Sequence, residues 1–207
     1  PVAHSFPTRR SSDLPEFWRL ILKWVEKRHG ISDAPDYLDE MLSQYIEVRN
    51  NTSFETNPGI REILKSAKEQ GVRCAVVSNN LTADIEQIIQ KAGLAEFFDI
   101  IVGNDIGKLQ RKPAPDTYLY AADMLKVPPA NCAVVEDSLL GAEAGRRAGC
   151  FTIGVCTGSA DFKDLESCSF TDRVYASFEP SKILLEFGQV TSKRICTPND
   201  FVSHMLE

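Results

Sequence analysis

The 207-residue sequence has no apolar run approaching the roughly 18–20 residues that cross a bilayer, and no apolar segment of signal-peptide character opens it. It has no excess of basic charge: 23 Lys and Arg stand against 29 Asp and Glu, for a formal net charge of −6. That balance argues against nucleic acid, which selects basic faces, and against an anionic membrane surface. One local basic spot still suffices for a phosphate ligand. The six cysteines include no C-x-x-C pair, so no zinc or redox motif is indicated. Cys74 and Cys132 fall inside apolar runs, as small core residues do in a reducing compartment. Cytoplasm is therefore the expected location. Internal repeats and low-complexity tracts are also lacking.

What is present is ordinary soluble material, 43% apolar and 25% charged, enough for one sizeable domain with or without a small accessory one. The opening stretch is the exception. Residues 4–14, "HSFPTRRSSDL", have no periodicity and match the translation of a common sequencing-library adapter. Residues 1–14 are accordingly set aside as an artefactual or disordered leader. From Pro15 to Asn51 the apolar residues recur at three and four: Phe17, Trp18, Ile21, Leu22 and Val25, then Leu38, Met41, Leu42, Tyr45 and Ile46. This predicts two helices.

After Asn57 the texture changes. Asn57-Pro58-Gly59 reads as a helix cap with Pro in the first turn, leading Ile60, Ile63, Leu64 and Ala67 to a stop at Gly71. Strands are expected at 72–77, 97–102, 131–135, 151–155 and 173–176, with helices at 82–92, 115–126 and 138–148. The strands are continuously apolar rather than alternating, and helices of 10–12 residues separate them. That combination predicts a doubly wound α/β domain with a parallel sheet covered on both faces.

In such a sheet, ligands bind beyond the carboxyl ends of the strands. Three strand ends carry chemistry. Ser78, Asn79 and Asn80 follow the first strand, offering a hydroxyl, two amides and N–H groups entering a helix. The loop "GNDIGKLQRKPAPD" follows the second and carries Lys108, Arg111 and Lys112, the last restricted by Pro113. Glu136 and Asp137 follow the strand at 131–135, two like charges driven to the edge of a core. A buried carboxylate is costly unless paired or bound to metal, so a cation is expected beside them. Mg²⁺ takes hard oxygens, typically one or two carboxylates with water and phosphate. A transferring phosphoryl group needs charge stabilisation of the kind a lysine and a hydroxyl provide. Thr157, Gly158 and Ser159 after the 151–155 strand are candidates to line the site, with a turn as the favoured reading.

These motifs resemble the haloacid dehalogenase superfamily, in the branch with a small helical cap that includes phosphoglycolate phosphatase and β-phosphoglucomutase. "VVSNN" is similar to the second family motif, "RKPAPD" to the third and "VVEDSLLGAEAGRRAG" to the fourth. Their spacings, 34 positions from Ser78 to Lys112 and 24 from Lys112 to Glu136, are family-like. The resemblance implies a Mg²⁺-dependent phosphatase that passes through an aspartyl-phosphate and acts on a small phosphorylated metabolite. It casts Ser78 and Asn79 as phosphate ligands, Lys112 as the catalytic cation that also binds phosphate, and Glu136 and Asp137 as metal ligands. It further implies a monomeric, HAD-like Rossmannoid core at 57–188, a small and incomplete cap at 15–56, and an extension at 189–207. A sugar phosphomutase and a non-catalytic binding protein of the same fold remain open alternatives. A signalling receiver domain is disfavoured, because its acids belong on the first strand.

The family's first motif, D-x-D at the end of a central strand, has no counterpart: no two aspartates here stand two apart. Asp13 has no apolar strand ahead of it and is not assigned that role. The expectation is a chain that lacks its nucleophile, with the strands ending at Ser78 and Glu136 left about 10 Å apart and their edges open.

Overall fold

The computed structural model describes residues 56–192 and 200–203, together with Lys23, Lys27, Ser43, Gln44 and Glu47, all five helical. The leader expected at 1–14 and most of the cap expected at 15–56 lie outside the described residues, as do Trp18, Trp24 and Arg49, which the sequence leaves open as packing or substrate contacts. The chain divides into two compact units, residues 1–53 and 54–207. The second holds every strand among the described residues.

Its elements alternate. Helix α1 (Ile60–Glu69) leads to β1 (Arg73–Val77), α2 (Thr82–Lys91), β2 (Ile100–Val102) and α3 (Asp116–Leu125). Then come β3 (Ala133–Glu136), α4 (Leu139–Ala148), β4 (Phe151–Val155), the short α5 (Phe162–Ser167), β5 (Arg173–Tyr175), α6 (Pro180–Ser192) and β6 (Asp200–Ser203). All six strands are parallel, in the order β2-β1-β6-β3-β4-β5.

The period-two pleat explains why the strands are apolar throughout. Cys74, Ala133, Val135, Ile153 and Val155 face one side, against Ile60, Ile63, Leu64 and Ala67 of α1 and Ile183 and Phe187 of α6. Ala75, Val77 and Val134 face the other, against Tyr118, Ala121, Ala122 and Leu125 of α3 and Ala144 and Ala148 of α4. Helix α2 covers Val76 through Ile85 and Ile89. Both faces are buried, so the doubly wound parallel architecture is what the sequence pattern predicted.

The differences are local. Helix α1 begins at Ile60 rather than at Pro58, with the Asn57 carbonyl accepting from the Ile60 N–H at 3.3 Å. Strand β2 is three residues rather than six, because Ala95–Phe97 wind into a 3₁₀ turn. The helices α5 and α6 carry no mark in the sequence as strong as the others.

The largest difference lies at the centre of the sheet. Strands β1 and β3 do not pair with each other, and their facing edges are not open. Strand β6 lies between them, Ala75 and Val76 of β1 matching Val202 and Ser203, and Val134 and Val135 of β3 matching the same two residues. A parallel strand so placed satisfies two backbone edges that would otherwise be bare.

Fixed ionisations set a stability window for this core. Burial, with the Asp99 carboxylate adding to it, pushes the Cys74 thiol up to about 12. Burial, then the charge of Glu136 and the hydrogen bond to it, raises the Tyr118 hydroxyl well above its usual range. Both groups stay protonated when folded, whereas in the unfolded chain Cys74 loses its proton near pH 9. Their stabilisation is therefore complete below about pH 9 and lost progressively toward pH 12. Urea melts across that range are expected to show falling stability; a flat profile would contradict the burial of these groups.

Candidate active site

The carboxyl ends of β1 and β3 and the loop entering α3 converge beyond the same edge of the sheet. Ser78 is buried, and its N–H donates to the Val102 carbonyl at 2.9 Å, tying the end of β1 to β2. Its hydroxyl accepts from the Asn80 N–H at 3.1 Å, a short-range turn that fixes Oγ at the head of the α2 approach. Asn79 is buried too, and its carbonyl accepts from the Asn104 side-chain amide. Its Oδ1 accepts from the Lys112 N–H at 3.2 Å. The Asn79 side chain thereby holds the lysine loop to β1.

Lys112 is the unusual residue: a lysine only 3% exposed. Its ammonium donates to the Val77 carbonyl at 3.0 Å and to Glu136 Oε1 at 2.6 Å, and lies 4.8 Å from the centre of the Tyr118 ring. The peptide bond from Lys112 to Pro113 is cis. An ammonium has three donors; two are accounted for by these acceptors, which leaves one for a ligand. Lys108 and Arg111, its neighbours in the same loop, are not brought into this arrangement.

Glu136 is fully buried. Besides Lys112, its Oε1 accepts from the Tyr118 hydroxyl and its Oε2 from the Ser138 hydroxyl at 3.2 Å. The same Ser138 oxygen caps α4 by accepting from the Gly141 N–H at 3.1 Å. The cation beside the first of the paired acids is therefore a lysine. Asp137 points elsewhere. Its carbonyl accepts from Ala160 N–H at 3.1 Å, and its carboxylate lies against the loop after β4, where a Cβ on Gly158 would come within 2.1 Å of Oδ2. Gly141 stands in the same relation to Glu136, a Cβ there reaching 1.9 Å from Oε2. Both acids are cradled by positions that admit no side chain.

Tyr118, Ser138 and Gly141 escaped the sequence reading, and Gly158 was read first as part of a turn. Tyr118 sits in the first turn of α3 with its ring in the core and its hydroxyl on Glu136 at the carboxyl edge of the sheet. Ser138, Gly141 and Gly158 shape the two carboxylates. Glycines in "LLGAEAG" and "TGS" marked a turn or small-residue helix, but not which side chain each one accommodates.

An acid–lysine–hydroxyl set at the carboxyl edge of a doubly wound parallel sheet defines a class of α/β proteins built to handle anions. The family follows from comparison. The model of the haloacid dehalogenase-like hydrolases matches residues 3–149, and the chain belongs to that family. The matched stretch begins within the 1–14 segment that the sequence reading set aside. A β-phosphoglucomutase of Bacillus subtilis is 35% identical over 140 residues, covering 67% of this chain and 61% of the relative. A phosphoglycolate phosphatase of Nitrosospira multiformis is 31% identical over 127 residues, 61% of this chain and 56% of its own. The chain thus spans little more than half the length of these curated relatives. Among solved structures, that of CbbY from Rhodobacter sphaeroides in complex with phosphate is similar, with a TM-score of 0.56 and 28% identity over 70% of this chain and 64% of that one. The expected branch, with phosphatases and sugar phosphomutases together, is the one these relatives occupy.

Proposed function

We propose that this core is the phosphoryl-binding half of a Mg²⁺-dependent phosphatase for a small phosphorylated metabolite. The observation that supports it most is the buried Lys112 ammonium, held between the Val77 carbonyl and Glu136 beside Ser78. A cation kept this dry interacts with an anion far more strongly than one in water. In this reading Ser78 Oγ and the Asn79 N–H hold the phosphoryl oxygens, Lys112 offsets their charge, and the Asn79 side chain and Glu136 keep Lys112 in place.

Asp137 is the acid we assign to the metal side, with Glu136 supporting from behind. The donors at hand are hard oxygens of the kind Mg²⁺ takes, a buried carboxylate cradled by Gly158 with a second carboxylate one residue before it; among the described residues, no group of three or more His, Cys, Asp or Glu stands together. When bound, Mg²⁺ would supply charge neutralisation and orientation of the phosphoryl oxygens. Asp137→Asn and Gly158→Ala are each expected to weaken Mg²⁺ binding by about tenfold or more, and Gly158→Ala also to lower the melting temperature, because its Cβ would come within 2.1 Å of Asp137 Oδ2. Isothermal titration with Mg²⁺ alone checks this; unchanged affinity in both variants would remove Asp137 from the metal side.

The aspartyl-phosphate route needs a nucleophile, and the sequence has no D-x-D. The chain as given is expected to bind inorganic phosphate yet turn over no p-nitrophenyl phosphate, because covalent catalysis without its nucleophile loses the central step. Measurable phosphatase activity from this chain would overturn that. A mutase is the second reading, carried by the relative named for that activity; the choice rests on whether a sugar phosphate or water receives the phosphoryl group.

A further inference from the structure

Consecutive βα units build the sheet in two halves: β2-β1 on one side and β3-β4-β5 on the other. Among the described residues, no strand of one half pairs with a strand of the other, although the helices on both faces pack across the divide. Their backbone ladder is completed by β6, four residues that lie over 120 positions from β1 in sequence and over 60 from β3. Adjacent strands stand about 4.8 Å apart, so one intervening strand sets β1 and β3 about 10 Å apart.

The candidate site straddles the same divide. Ser78 and Asn79 continue β1, and Glu136 ends β3. Lys112 binds both halves, through Val77 and through Glu136. Ser203 is matched with Val76 and Val135, so the Lys112 bridge lies one residue beyond the end of the β6 ladder on both sides. The strand fixes the gap, and the ammonium spans its mouth.

We propose that the slot between β1 and β3 is a docking site for a parallel β-strand, that Asp200–Ser203 is its occupant, and that docking sets the Lys112–Glu136 contact and hence the affinity of the site for phosphate. An empty slot has two bare parallel edges, and the two halves lose the spacer that holds Lys112 within reach of both acceptors. The docking claim stands on the topology; its link to phosphate rests on the reading of the site given above.

Amide exchange on the unmodified full chain tests the first claim. Residues 200–203 are expected to exchange slowly and in step with 73–77 and 133–136, as one cooperative unit. Exchange of 200–203 at unprotected rates overturns docking. In the full-length Val202→Pro variant, whose proline can neither donate to a central ladder nor fit one, exchange at 73–77 and 133–136 is expected to rise by about 100-fold or more. Affinity for inorganic phosphate is expected to fall about tenfold. A synthetic peptide of residues 199–207, supplied at about millimolar concentration to stand in for the tethered strand, is expected to restore both. Protection and phosphate affinity unchanged by the proline overturn the proposal, as does a folded variant whose exposed edges the peptide never protects. Should the variant fail to fold, the exchange of 200–203 in the unmodified chain still decides. If the unmodified chain binds no phosphate while 200–203 are protected, the functional reading falls and the docked strand stands.

Discussion

Lys112→Met is expected to destabilise the core by about 3–5 kcal/mol and to abolish measurable phosphate binding. The side chains of Lys112 and Glu136 are 2% and 0% exposed. Removing the ammonium leaves a fully buried carboxylate without the cation it faces at 2.6 Å, and the hydroxyls of Tyr118 and Ser138 cannot replace that charge. Changing the acid at the same time should help. Lys112→Met combined with Glu136→Gln removes the charge that the single substitution strands, so the double variant is expected to be more stable than Lys112→Met alone. Denaturant melts over the four-member cycle report this as a coupling energy. Costs that simply add would mean the pair is not a unit. Lys182→Met supplies the contrast: its side chain is exposed and its partner, the half-buried Glu179, lies just ahead of α6, so its loss should stay within about 0.5 kcal/mol. A buried ion pair is a poor way to gain stability, since desolvating both ions costs as much as their attraction returns. Its presence at the carboxyl edge of the sheet fits the proposed role of a charge kept ready for an anion.

Gly141→Ala is the second substitution with a large expected effect. A Cβ there would lie 1.9–2.2 Å from the Glu136 carboxyl atoms, far inside contact distance. The carboxylate has nowhere to retreat, because its other side is taken by Lys112 and Tyr118. Alanine normally favours a helix over glycine by up to about 1 kcal/mol. Here that gain is outweighed, and a net loss of about 1–3 kcal/mol is expected from overpacking, together with loss of phosphate binding as Lys112 shifts with its partner. Gly188→Ala separates the helix effect from the clash. It lies in α6 with nothing within 4 Å of its would-be Cβ, so it is expected to gain stability by about 0.5–1 kcal/mol. Thermal melts of the two variants should move in opposite directions; a Gly141→Ala protein as stable as its parent would show that Glu136 is not held as described.

The sequence marked Ser78, Lys112, Glu136 and Asp137 because polar residues at the ends of unbroken apolar runs have few places to go but a strand's carboxyl edge. It could not say which cation each acid meets. Two adjacent carboxylates alternate in direction at a strand end, so Glu136 turns to Lys112 and Asp137 to the loop at Gly158, and that split depends on three-dimensional placement. Tyr118 was hidden because a tyrosine in an apolar helix face reads as core; its ring is core, and only its hydroxyl belongs to the site. Strand β6 was the hardest to see. "DFVS" is four residues long, bounded by polar neighbours, and draws its stability from two partner edges rather than from its own pattern. The gap expected between β1 and β3 was visible in the order of motifs, but its occupant was not.

The central claim is that Ser78, Asn79 and Lys112 form one anion site at the junction of β1 and β3. Titrating the isotope-labelled full chain with inorganic phosphate, with and without Mg²⁺, tests it directly by nuclear magnetic resonance. Saturable shifts are expected at the amides of Ser78, Asn79 and Asn80 and at the Lys112 side chain, with Asp137 responding to Mg²⁺. Saturable shifts confined to other surfaces, or none at any of these positions, would contradict it.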